Sequence, residues 1–245
     1  MANKEEESIY NHTRRYHLVI EGPSGIKQSK NIPLENREKL LEYSTFLRAT
    51  GKSLPRQIKV LMTLKKFTIL LGPILFKEAT KQSLVEVVDK ARFTIPRPGH
   101  PRREVADSTI RDFQIIVKQF YAWLYDIEDP RQEGYPKAVS WIHPKEPKTD
   151  LQASDLLTAG EVKKLISCTP DLRFKALIAL CCECGLRVGE ALKLKIGDVH
   201  LDENCITLSV RSEKDGPPRQ AFAIKSFPLL TQWLDQHPSK ENKEA

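Results

Sequence analysis

Between Asp107 and Ile127, apolar residues recur at Ile110, Phe113, Val117, Phe120, Tyr121 and Leu124. This spacing of three and four predicts a helix with one buried face. Three shorter helices precede it. Asn36 can cap one that runs to about Thr50 and stops at Gly51. Ser53, with Pro55 in the first turn, opens a second that reaches Leu71 before Gly72-Pro73. Thr80 can cap a third, from Lys81 to about Arg92. Pro96, Pro98, Gly99 and Pro101 then break the chain into a loop. Residues 1–35 show no sustained period and read as an N-terminal arm, with a short strand at Tyr16–Ile20. Residues 36–128 thus form a helical module.

Pro130, Pro136, Pro144 and Pro147 mark residues 129–152 as an extended linker. A second domain is expected over 153–245. It opens at Thr158-x-x-Glu161, a capping box in which each side chain satisfies the other's helix-start amide. Arg173 to Cys184 is apolar enough to predict a central, buried helix that ends at Gly185, and another helix should run from Arg187 to about Lys195. The period then changes to two. Cys205, Ile206, Leu208 and Val210, a turn at Glu213-Lys214-Asp215-Gly216, and Arg219 to Ile224 predict a β-hairpin, followed by a helix over Phe227–Gln236. The fold class expected is mainly α with a small antiparallel β-hairpin or sheet.

The length of 245 residues allows one or two domains at about 150 residues each. No apolar run approaches the ~20 residues of a membrane helix, and the start Met1-Ala2-Asn3-Lys4-Glu5-Glu6-Glu7 is unlike a signal peptide. A cytoplasmic location away from membranes is expected, and five cysteines without a repeated spacing predict no disulfide scaffold. Cys181, Cys182 and Cys184 fall within about one helical turn, pointing apart, and read as core thiols rather than metal ligands. The net charge of +7 is concentrated: residues 48–103 hold 13 Lys and Arg against three acidic residues, whereas residues 151–245 balance at 13 each. A local excess of this size points to a polyanion, with double-stranded DNA the expected partner. Arg56, Lys59, Lys65, Lys66, Arg97, Arg102 and Arg103 are the candidate DNA contacts in this stretch, joined by Arg219 from the second domain.

The stretch Cys184-Gly185-Leu186-Arg187-Val188-Gly189-Glu190-Ala191-Leu192 resembles the arginine box of the tyrosine recombinases, the phage-integrase family. Leu157-Thr158-x-x-Glu161, Ile196-Gly197-Asp198-Val199 and the hairpin bearing Lys214 are similar to other parts of that family's catalytic domain. The N-terminal helices, with Trp123 late in the last, look like its SAM-like core-binding domain. The resemblance covers roughly residues 36–240. It implies a core-binding domain and part of a catalytic domain that clamp DNA from opposite sides. It also implies site-specific strand breakage and rejoining through a phosphotyrosine, by a multimer assembled on DNA. Because the phosphotyrosine conserves the bond, the resemblance implies no metal and no small-molecule cofactor.

The residues have their own chemistry. Gly185 lets the chain reverse sharply and sets Arg187 at a helix start, where free amides favour a phosphate. A guanidinium fork can grip two non-bridging phosphate oxygens as charge develops on them. Glu190, at i+3, either supports that arginine or forms an ordinary surface pair with it. By resemblance Lys214 protonates the leaving 5′ oxygen; in its acidic turn Ser-Glu-Lys-Asp-Gly it can equally be a solvated lysine. Arg219 either contacts phosphate or pairs across the hairpin.

All six tyrosines (Tyr10, Tyr16, Tyr43, Tyr121, Tyr125 and Tyr135) precede Arg187. The later histidines, His200 and His237, have no Arg three positions on. The nucleophile and the His-x-x-Arg box that the resemblance calls for are thus absent, and Arg187 and Lys214 cannot complete the covalent cycle alone. Whether the chain is itself an enzyme stays open. The sequence supports a DNA-binding recombinase polypeptide; the alternative is a catalytically inactive DNA-binding protein that occupies or regulates recombination sites.

Overall fold

The computed structural model describes residues 11–94, 101–146, 152–203, 205–211 and 217–244. The chain divides into two compact units, residues 1–149 and 150–245. Among the described residues, no helix is long and apolar enough to cross a membrane.

The first unit is helical: α1 (His12–Glu21), α2 (Leu34–Ala49), α3 (Leu54–Leu71), α4 (Lys81–Ala91), α5 (Asp107–Leu124) and the single turn α6 (Lys137–Ser140). Helix α3 is its centre and meets α1, α2, α4 and α5. It buries Leu61, Leu64, Phe67 and Leu71, at the three-and-four spacing that keeps side chains on one face. From α5, Phe120 stands edge-on to Phe76 at 4.9 Å and to Tyr43 at 5.2 Å, the arrangement aromatic quadrupoles favour.

Four expectations change here. Tyr16–Ile20 is helical, because Asn11 caps α1 by accepting from the Arg14 amide (2.9 Å), and Tyr16 and Ile20, one turn apart, both turn inward. The segment expected as a loose arm is packed down: Ile20 and Ile26 belong to the core, and the Tyr16 hydroxyl is 2.6 Å from Ser44 Oγ. Asn36 does not cap α2, which starts after Pro33. It lies inside the helix, buried, where Nδ2 donates to the Ile74 carbonyl (2.9 Å) and Oδ1 accepts from the Phe76 amide (3.0 Å). The stretch expected as linker is partly folded: Val139 and Ile142 are buried, and Lys118 Nζ donates to the Ile142 carbonyl (2.8 Å).

The second unit holds α7 (Ala159–Cys168), α8 (Leu172–Cys184), α9 (Val188–Leu192) and α10 (Phe227–Asp235), with strands β1 (Val199–Leu201), β2 (Ile206–Val210) and β3 (Arg219–Ala223). The strands form an antiparallel sheet in the order β1-β2-β3. Strand β2 is the middle one and buries Ile206, Leu208 and Val210 on one face, as period-two patterning requires. Val210 pairs with Arg219, and Ile206 with Ala223. The Thr158–Glu161 capping box is formed, with the Thr158 amide donating to Glu161 Oε2 at 2.8 Å. Helix α8 is less enclosed than its composition suggests. Ala176, Ala179 and Leu180 are buried, but Phe174 and Cys182 are exposed. The arginine helix is also shorter than expected, a five-residue turn that ends before Lys193.

Candidate functional site

Helix α8 ends at Gly185, which adopts the left-handed conformation (φ 59°, ψ 31°) that glycine reaches without Cβ strain. The chain reverses, Leu186 drops into the core, and Arg187 takes the N-cap position of α9. Because α9 has five residues, the placement of Arg187 depends on side-chain contacts rather than on a long helix dipole.

Those contacts converge on Glu190, whose side chain is fully buried. Its Oε2 accepts from the Arg187 amide (3.0 Å), and Oε1 accepts from Arg187 Nη1 (2.8 Å). Arg219, at the start of β3, reaches the same carboxylate with Nη1 to Oε1 (3.2 Å) and Nη2 to Oε2 (2.9 Å). Each oxygen therefore has one partner from each arginine. A carboxylate placed this way is fully paired, which burial of a charge demands. The Arg219 hydrogen bond foremost, then the Arg187 amide, hold Glu190 down at about 2. Glu190 in turn raises the pKa of Arg219. The Arg187 side chain remains 55% exposed, so its guanidinium is anchored at one edge and open to solvent.

Of the two readings of Glu190, a surface pair is ruled out by its burial. Arg219 does pair within the protein, with α9 rather than across the hairpin. Lys214 lies outside the described residues, as does Arg97. Sequence reasoning missed Arg211: its Nη2 donates to Asp198 Oδ1 at 2.8 Å. Asp198 is itself nearly buried and accepts from the Lys195 amide (3.1 Å). Arg211, Asp198 and Arg219 line a cavity of about 260 Å³ beside the hairpin. The only signal for this in sequence is an arginine directly after β2.

In the first unit the basic candidates separate into two kinds. Lys59 pairs with Asp112, and Lys65 donates to the Ser24 carbonyl. Lys66 is half-buried and donates to the carbonyls of Ala91 (2.9 Å) and Phe93 (3.1 Å), and burial lowers its pKa. These lysines take part in holding the helices together. Arg102 and Arg103 are exposed, on a neck where Phe93 and Glu104 form an antiparallel bridge. The Arg102 guanidinium sits 4.0 Å from the centre of the Phe93 ring, and Thr94 and Arg103 exchange hydrogen bonds (2.8 and 3.0 Å). Arg56 is half-buried beside Tyr43, Phe46 and Trp123.

The remaining tyrosine and cysteine candidates have structural surroundings. Tyr121 is fully buried and donates to the Phe76 carbonyl (3.1 Å), its pKa raised by burial, whereas Tyr125 is exposed beyond the end of α5. Burial also raises Cys181 and Cys184, and Cys184 Sγ donates to the Phe222 carbonyl (3.4 Å). Among the described residues no cluster of His, Cys, Asp and Glu could hold a metal ion.

Comparison with known proteins places this geometry. Residues 155–245 match the phage integrase family. Tyrosine recombinase XerD of Neisseria meningitidis is 34% identical over 103 residues, 40% of this chain and 33% of that protein. Tyrosine recombinase XerA of Pyrococcus furiosus is 31% identical over 199 residues, 80% of this chain and 59% of that protein. The chain thus spans between about a third and three-fifths of the length of these relatives. The fold is similar to that of the XerH site-specific recombinase bound to its difH substrate before cleavage (TM-score 0.51, 18% identity, 95% of this chain and 70% of that one). It is also similar to the post-cleavage complex of XerH with a palindromic difH substrate (TM-score 0.53, 16% identity, 92% and 68%). With its arginine box built around a buried glutamate, inside residues 155–245 that match the phage integrase family, the chain is related to the tyrosine recombinases.

Proposed function

We propose that the chain binds duplex DNA and takes part in site-specific strand breakage and rejoining in the cytoplasm, with Arg187 gripping the scissile phosphate. The observation that carries this reading is the anchored but open Arg187: Glu190 fixes one edge of the guanidinium while its side chain stays half exposed. A planar cation held in advance needs no reorganisation when charge builds on the phosphate oxygens, so its stabilisation falls on the transition state. Lys214 would act as the mobile acid that protonates the leaving 5′ oxygen. Arg56, Arg102 and Arg103 would hold backbone phosphate from the first unit, and several copies would assemble on one DNA. None of the six tyrosines, all of which precede Arg187, is assigned as nucleophile.

Fluorescence anisotropy with a labelled duplex over a salt series tests the reading. Affinity should fall steeply, with a log–log slope of about −0.9 per phosphate neutralised. Undetectable or salt-insensitive binding would sink it. Arg187→Ala should leave non-specific affinity nearly unchanged, and a nicked suicide duplex should give no covalent adduct with this chain alone.

A further inference from the structure

We infer that Arg219 is a positioning residue that acts through Glu190 to fix the orientation of Arg187. The functional weight of this coupling rests on the reading of Arg187 as the phosphate-gripping residue; the coupling itself is a property of the protein without DNA.

The geometry is a shared fork. Arg219 places two parallel N–H groups on the two oxygens of Glu190, at 3.2 and 2.9 Å. Two parallel bonds fix the plane of a carboxylate, which a single donor cannot do. That plane determines where Oε1 meets Arg187 Nη1 (2.8 Å) and where Oε2 meets the Arg187 amide (3.0 Å). Without Arg219 the carboxylate would keep its Arg187 partners but lose the fork that stops it turning. Arg187 would then be tethered to a carboxylate held only by its own amide and guanidinium, and its exposed guanidinium would sample more orientations.

A role confined to the hairpin does not account for this arrangement. Strands β2 and β3 already pair over five residues, Ile206–Val210 with Arg219–Ala223, and bury Ile206, Leu208, Val210, Ala221 and Ala223. The side chain of Arg219 adds nothing to that ladder. It leaves the strand to meet α9, 29 residues earlier in sequence.

The test uses the full chain, labelled with ¹⁵N-arginine, in the absence of DNA. The Arg187 guanidinium signal is assigned by its loss in Arg187→Ala. In the native chain, rotation about its Nε–Cζ bond should be slowed. In Arg219→Gln this slowing should be lost, with the melting transition still cooperative. Arg219→Lys, which returns one donor, should restore it only in part. An Arg187 signal unchanged in Arg219→Gln but moved in Glu190→Gln would overturn the inference. Should Arg219→Gln fail to fold, Arg219→Lys decides alone, because a native-like Arg187 signal there would equally overturn it. The two readings fail separately: a responsive Arg187 in a chain that binds no duplex leaves the coupling standing and removes the proposed function. Duplex binding with an unresponsive Arg187 does the reverse.

Discussion

Glu183 and Ser226, 43 residues apart in sequence, are joined by two hydrogen bonds: Glu183 Oε2 accepts from the Ser226 amide at 2.7 Å and from its hydroxyl at 2.6 Å. The other oxygen accepts from the amides of Ile224 (3.0 Å) and Lys225 (2.8 Å). Burial favours the neutral acid, but these four donors outweigh it and hold the Glu183 carboxyl below its ordinary range. With Glu190 on Arg219, two carboxylates that flank the Gly185-Leu186-Arg187 turn secure both ends of β3. The strand and the arginine turn are therefore built as one piece.

Removing the first of these carboxylates should loosen the chain after β3. Glu183→Ala leaves the buried Ser226 without its acceptor and is expected to destabilise the second unit by about 1–3 kcal/mol, the range for charge-assisted hydrogen bonds and the groups they leave unpaired. Hydrogen exchange should quicken across residues 224–230, which include the start of α10. Glu183→Gln should lose less, since an amide oxygen still accepts. Unchanged exchange in Glu183→Ala would show that this cap is dispensable.

Glu190 gives the second unit a defined acid response. Its carboxyl titrates at about 2 in the folded protein, against an ordinary value of 4.5, because Arg219 and Arg187 favour the charged form. The unfolded chain therefore binds the proton first as pH falls. The stabilisation is complete above about 4.5 and is lost between there and about 2. Melting temperatures of the native chain should fall through this window. Glu190→Gln should melt lower than native at neutral pH and respond less within the window. Parallel curves for the two proteins would remove Glu190 as the source.

What was legible in the sequence was local. The Thr158–Glu161 box, the Gly185 stop and the long helices α3 and α5 are set by contacts three or four residues apart, and periodicity records such contacts directly. What was not legible depends on distant partners. Glu190 was visible as a neighbour of Arg187 but not as a buried group, because the fork that makes burial tolerable comes from Arg219 on another element. Asn36 looks like a cap in sequence because nothing nearby discloses the 74–76 loop it holds. The basic stretch was visible as charge. Counting charges could not show that Lys59 is paired with Asp112 or that Lys66 is spent on carbonyls.

Asn36 should be among the least replaceable polar residues of the first unit. Asn36→Ala strands the Ile74 carbonyl and the buried Phe76 amide together, and at about 1–3 kcal/mol per orphaned group the expected loss is about 2–6 kcal/mol. Asn36→Asp keeps the acceptor for Phe76 but loses the donor to Ile74 and buries a charge, so it should rescue little. Urea unfolding measures both. A loss below about 0.5 kcal/mol, the range of ordinary surface substitutions, would mean that the loop is held by other contacts.

The division among the basic residues of the first unit predicts opposite phenotypes for side chains of the same charge. Arg102 and Arg103 are exposed on the bridged neck, so each counterion-releasing contact they make should contribute about 0.9 to the salt slope of DNA binding. Arg102→Gln and Arg103→Gln should each lower the slope by about that amount and leave stability unchanged. Arg102→Lys keeps the charge but gives up the guanidinium contact over the Phe93 ring, so the slope should persist while affinity falls. Lys66 should behave in the contrary way. Its ammonium is committed to the carbonyls of Ala91 and Phe93, at the base of that neck. Lys66→Met should therefore lower the unfolding midpoint without changing the salt slope. Anisotropy titrations at several salt concentrations, paired with urea melts of the same proteins, separate the two classes. If Lys66→Met took about 0.9 off the slope at native stability, its ammonium would belong to DNA rather than to the fold.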